Sequence, residues 1–263
     1  MASYDDIKTR VQSRDAAHVS KRIRYFLFGS LVFTLLVYAV PVYGFLIGLP
    51  LIWLSTLVHE LGHGITAAIV GGTFKQFVMY PDASGAASYT GFLGPGRLAL
   101  IAAGGLVGPA IVAAAGFIVA RRAKVAQVAL LIGASALVLL TIVVVRNGFG
   151  VGFVLSLAAL LALLGTRKNP EVAQITMVFF ATQLAASVFS RGDYLFMEYA
   201  ETAQGQMPSD VSQMAEALAG PYWLWGGVCA LFSVVVLALG LWVFFRGFAL
   251  PGLLRRKPKR QDT

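Results

Sequence analysis

At 263 residues, 58% of them hydrophobic and 13% charged, with a mean hydropathy of +0.76, the chain carries more apolar surface than a soluble core of this size can hide. The formal charge of +9 is not a nucleic-acid signature, because the basic residues cluster in short loops and tails beside apolar runs, where they suit anionic lipid head groups. Composition therefore excludes a soluble enzyme and a nucleic-acid-binding module, and predicts an all-α polytopic protein, multi-pass in the cell membrane.

Residues 1–24 form a polar arm of both charge signs, too long and too acidic for the n-region of a signal peptide. It ends in Lys21-Arg22-Ile23-Arg24, a membrane-edge anchor. A transmembrane domain follows over 25–248. Its apolar runs approach the ~20 residues needed to cross a bilayer. They are Tyr25–Ile47, Leu49–Val70, Leu98–Ala120, Val125–Val145, Phe149–Leu164, Val172–Phe189 and Tyr222–Phe245. The fifth is short and Pro41 divides the first, so the count is six or seven. Helices are expected throughout, since an open chain has no other way to satisfy its backbone in lipid. A basic tail, 249–263, closes the chain; Arg255 to Arg260 suits a lipid surface or plain solvent. The single cysteine, Cys229, can form no internal disulfide.

The second run contains His59-Glu60-Leu61-Gly62-His63. Histidines four apart on a helix share one face, about one turn from each other, so both imidazoles reach one metal ion. Glu60 is placed to act as a base toward an activated water. This H-E-x-x-H pattern occurs by chance in soluble proteins. Within lipid-depth sequence, however, ionisable groups cost at least ~2.5 kcal/mol for a mid-bilayer charge and usually mark function. The bland reading is a polar patch gluing helices together; a zinc site is the better one.

Residues 71–91 read as a β-hairpin. Phe74, Phe77 and Val78-Met79-Tyr80 form one strand, Pro81 to Gly85 the turn, and Ala87-Ser88-Tyr89-Thr90 the other. If 74–80 is an open edge, it can hold a substrate strand by β-augmentation. A plain polar connection explains these residues equally well. Gly104, Gly105 and Gly108 in the third run read as packing residues that let helices approach closely.

Taken together, these motifs resemble the site-2 protease family of intramembrane zinc metallopeptidases, in its compact branch without PDZ domains. The resemblance rests on His59-Glu-Leu-Gly-His63, Gly71-Gly72 opening a hairpin that contains Gly85, and Gly104-Gly-Leu-Val-Gly-Pro109. Arg146-Asn147-Gly-Phe-Gly150 and Ser209-Asp210 with Met214-Ala215-Glu216 add looser support. It implies one zinc per chain held by His59, His63 and an aspartate, with Glu60 as general base, and a substrate that is a transmembrane protein. The family's Asp-Gly signature within an Asn-Pro-rich stretch is absent, so the resemblance leaves the aspartate open. Asp193 is favoured, as an acid at a membrane edge with no simple structural excuse. Asp210 is the rival; Pro208-Ser209-Asp210 begins a helical stretch, where Ser or Asp caps free backbone N–H groups.

Alternating crossings put the hairpin, Asn147 and Asp193 at one membrane face and Arg121-Arg122, Arg167-Lys168 and the tail at the other. Phe74, Phe77, Tyr80 and Asn147 are the candidate substrate contacts on the first face. The basic loops argue that the second face is cytoplasmic. The resemblance, with active sites nearer the cytosol, tips the choice to the first. The leading reading is an intramembrane zinc endopeptidase in the lipid bilayer. The alternatives are a catalytically silent scaffold, against which Glu60 speaks, and a metal-ion transporter, for which a second intramembrane ionisable cluster is missing.

Overall fold

The computed structural model describes residues 22–36, 41–190, 193–202 and 205–246, with the side chains of 41–47, 190, 193–194 and 201–202 outside the description. Helix α1 covers 22–36. Then come α2 (Pro41–Ile69), β1 (Thr73–Met79), β2 (Gly85–Thr90), α3 (Pro95–Val119), α4 (Ala123–Val143), α5 (Gly148–Gly165) and α6 (Pro170–Ser190). A short α7 (Asp193–Phe196), the strands β3 (Tyr199–Thr202) and β4 (Gly205–Pro208), α8 (Asp210–Leu218) and α9 (Tyr222–Arg246) complete the described chain. The arm 1–21 and the tail 247–263 lie outside the described residues.

Among the described residues five helices are long and apolar enough to cross a membrane: α3, α4, α5, α6 and α9. The 29-residue α2 is longer still, but carries the His-Glu-His motif. The expected break between the first two apolar runs, at residue 48, is not there. Pro41 starts α2, where a missing N–H costs nothing, and the helix continues through Pro50. The second antiparallel pair, β3 with β4, has no counterpart in the sequence reading. Its strands are four residues each, too short to show a period of two.

Helix α3 sits at the centre, packed against α2, α6, α8 and α9. Small residues make this possible. A Cβ on Gly62 would lie 2.3 Å from the Gly104 carbonyl oxygen, and one on Gly240 2.7 Å from Ala114. Without glycine at these crossings the backbones could not meet.

At one end of the bundle Gln127 donates to the Arg167 carbonyl (2.7 Å), Gln174 donates to the Ala120 carbonyl (2.6 Å), and Arg22 faces Glu171 at 3.9 Å. The hairpin and Asn147 meet at the other end, as alternating crossings require. Single cysteines at Lys75 and Gln206 are therefore expected to react with an impermeant thiol reagent from one membrane face, and one at Lys124 from the opposite face. Labelling of the first two from opposite faces would break the span assignment.

Candidate metal centre

Helix α2 ends in a glycine turn. Gly71 adopts φ 91°, and Gly72 donates to the Ala67 carbonyl at 2.8 Å. The chain is thereby turned back, and the β1–β2 hairpin runs down along α2. Its tip is tied there: Thr56 donates to the Ala83 carbonyl (2.8 Å) and Trp53 to the Pro81 carbonyl (3.1 Å). Within the turn Asp82 accepts from both the backbone N–H and the hydroxyl of Ser84. Those bonds hold its carboxyl below the usual range. β2 passes close to the motif, since a Cβ on Gly85 would lie 2.8 Å from Thr56 Cγ2 and 3.0 Å from Glu60 Cγ. Glu60 and His63 are buried on this helix.

The motif histidines face each other with ring planes at 90° and Nε2 atoms 3.1 Å apart. Asp210 completes a triangle, its Oδ2 lying 3.2 Å from His59 Nε2 and 3.4 Å from His63 Nε2. Among the described residues this is the one group of three such side chains able to share a metal ion. Donors held tetrahedrally 2.0–2.1 Å from one zinc stand about 3.3 Å apart, so the triangle has the right size. The donor set of two imidazoles and a carboxylate also suits zinc. His63 Nδ1 lies 2.8 Å from the Ile101 carbonyl, which fixes the tautomer with Nδ1–H donating and leaves Nε2 a lone pair for a metal. The Asp210 carboxylate is the anionic member of this donor set.

This geometry brings Asp210, the rival of the two aspartates, to the histidines. Asp210 seemed occupied by capping, yet the N-cap of α8 is Ser209, whose hydroxyl accepts from the Ser212 N–H (3.3 Å) and donates to the Met197 carbonyl (2.5 Å). Asp210 is left to project toward the histidines. Asp193 begins α7, and its side chain lies outside the described residues.

Gly105 is more than a packing residue. A Cβ there would sit 2.2 Å from His63 Cε1 and Nε2, so that side of the ring lies against bare backbone. Gly105→Ala is expected to push the imidazole off the Ile101 carbonyl and to weaken zinc binding by about 10- to 100-fold, the range for a disturbed supporting shell. Gly108→Ala, whose Cβ would stop 3.3 Å from the Val58 carbonyl, is expected to keep the metal. Metal analysis of both purified variants tests this; equal zinc in the two would remove the role assigned to Gly105.

The hairpin does not present the edge expected of it. Phe77 donates to the Val144 carbonyl (2.7 Å) and accepts from the Arg146 N–H (3.0 Å). The Asn147 side chain then treats Met79 as a strand would, accepting from its N–H at 3.1 Å and donating to its carbonyl at 2.6 Å. The outer edge of β1 is thus occupied by the α4–α5 connection. Phe77 itself is fully buried, in a core with Leu57, Met79, Leu137 and Val154. Phe74 is half-buried with its ring over Gly64, and Tyr80 donates its N–H to the Ser84 carbonyl at 2.9 Å. Of the four candidate contacts, Phe77 and Asn147 hold the hairpin in place.

The open edge is β2. Phe77 and Met79 turn their peptide groups away from β2, so their partners Ala87 and Gly85 turn theirs outward on the far side. Among the described residues no other strand pairs with that side. The sequence reading missed it because both strands of a hairpin look alike until a third segment covers one of them.

No curated protein and no solved structure matches the chain significantly. A family model described as Peptidase M50B-like matches residues 28–240, a span that takes in the motif helix, the hairpin and Asp210, and the chain belongs to that family.

Proposed function

We propose that the protein is an intramembrane zinc metalloprotease that hydrolyses peptide bonds of membrane-embedded substrates. The observation that carries this reading is the His59–His63–Asp210 triangle beside the buried Glu60, in a chain of membrane-length helices. The five apolar helices with α2 make up six spans of a multi-pass cell-membrane protein; α1 starts beside Glu171, at the end where α6 begins, and by alternation adds no further crossing. His59, His63 and Asp210 hold one zinc. The metal supplies Lewis acidity, polarising the scissile carbonyl and making water a competent nucleophile near neutral pH.

The chain's own residues do the rest. Glu60 takes the proton from the attacking water and delivers it to the leaving amine. Substrate helices keep their peptide bonds in intrahelical hydrogen bonds, so cleavage requires an extended segment. The outward N–H and C=O groups of Gly85 and Ala87 can hold such a segment as a third strand, beside Glu60. A metal transporter is disfavoured by the lack of a second such cluster among the described residues. Glu60 at the base position disfavours a silent scaffold.

Purified protein is expected to cleave a transmembrane model substrate, to stop when a chelator removes the metal, and to resume on addition of zinc. Ala87→Pro tests the edge. Proline there removes an outward donor without breaking a β1–β2 hydrogen bond, and edge strands tolerate it. Cleavage is expected to fall about 10-fold, the equivalent of one hydrogen bond of roughly 1.4 kcal/mol, with zinc content unchanged. Unaltered cleavage would return β2 to a purely structural role.

A further inference from the structure

An apolar cavity lies away from the metal centre. It has a volume of about 550 Å³ and is walled by Leu51 and Leu54 of α2, the stretch Phe153–Leu164 of α5, the stretch Ile175–Phe180 of α6, and Phe26 of α1. Its two hydroxyls are turned back into their own helices: Ser156 donates to the Gly152 carbonyl (2.7 Å) and Thr176 to the Val172 carbonyl (2.8 Å). The walls therefore offer a ligand no free polar group, and only an apolar occupant suits them.

Size decides which apolar occupant. From Phe153 to Leu164 the groove follows α5 for about 16 Å, at 1.5 Å per residue. That is close to one leaflet of a hydrocarbon core roughly 30 Å thick. A transmembrane helix must run the whole ~30 Å and would leave about half its length outside a groove this short, whereas an acyl chain of one leaflet matches it. A single extended acyl chain fits; a substrate helix does not.

Charge decides the head group. The groove reaches Leu164 at the end of the bundle opposite the metal centre, where Leu164 is followed by Arg167 and Lys168 and Phe26 is preceded by Arg24. All three cations are exposed. The nearby acid, Glu171, faces Arg22 at 3.9 Å. Basic residues at a membrane surface attract anionic lipid, and these three stand within two to four residues of Phe26 and Leu164, which line the slot.

We propose that this groove seats one acyl chain of an anionic phospholipid, with the head group held by Arg24, Arg167 and Lys168. The site is independent of the proteolytic reading, and its test needs no cleavage. The full-length protein in detergent is titrated with phosphatidylglycerol or phosphatidylcholine of identical chains, and bound lipid is counted by native mass spectrometry. Wild type is expected to retain one phosphatidylglycerol with at least about 10-fold preference over phosphatidylcholine, the effect of a few surface cations. Ser156→Phe, which fills the slot, is expected to lose both lipids. The surface pair Arg167→Gln with Lys168→Gln is expected to keep the slot and lose the preference. Equal retention by wild type and Ser156→Phe would overturn the slot, and an unchanged preference in the charge variant would overturn the head-group assignment. A photo-crosslinker at Leu160 that captures a substrate protein rather than lipid would overturn the choice of occupant.

Discussion

Glu60→Gln is expected to keep a full complement of zinc and to lower cleavage of a transmembrane substrate by about 10²- to 10⁴-fold, the usual contribution of a positioned acid–base group. The amide is nearly the size of the carboxylate, so the packing of the buried Glu60 against Gly85 and Thr56 is retained. What it cannot do is accept a proton. The His59–His63–Asp210 triangle contains no atom of Glu60, so metal binding is unaffected. Zinc content and single-turnover cleavage, measured on the same preparation, separate the two effects. Full activity in Glu60→Gln would sink the mechanism, and loss of zinc would move Glu60 from base to ligand.

Asp210→Ala is the second large effect. It removes the anionic member of the triangle, whose Oδ2 lies within 3.4 Å of both imidazoles. Zinc affinity is expected to fall by more than about 100-fold, beyond the range typical of a lost supporting hydrogen bond, and proteolysis is expected to disappear with it. Helix α8 should survive, because its N-cap is Ser209 and Val211 and Met214 keep it seated in the core against Leu106 and Cys229. The control is Asp193→Ala, expected to keep its zinc. The opposite pair of results, zinc lost with Asp193→Ala and kept with Asp210→Ala, would restore Asp193 as the ligand.

Local sequence was enough for everything that depends on residues near one another along the chain. His59 and His63 face the same way because four residues make about one helical turn, and Glu60 follows from the same helix. The apolar runs announce their helices because lipid allows no other open-chain backbone. The β1–β2 hairpin is legible in its turn residues. Gly104 and Gly105 are legible as close-approach positions, although not as the seat of the His63 ring.

What remained hidden was decided by contacts between distant segments. The choice of Asp210 rests on a residue 147 positions beyond His63, and on Ser209 taking over the cap that seemed to excuse it. The Ile101 carbonyl that orients His63 is backbone, the same in every residue, and so leaves no mark in a sequence. The open edge is decided in the same way. β1 and β2 are equivalent until 144–147 covers one of them, and only then does Ala87 face outward with no strand beside it among the described residues while Phe77 becomes core. A side chain's neighbours within one turn are set by covalent geometry. Its neighbours across the bundle are set by which helices pack, and that depends on the whole chain at once.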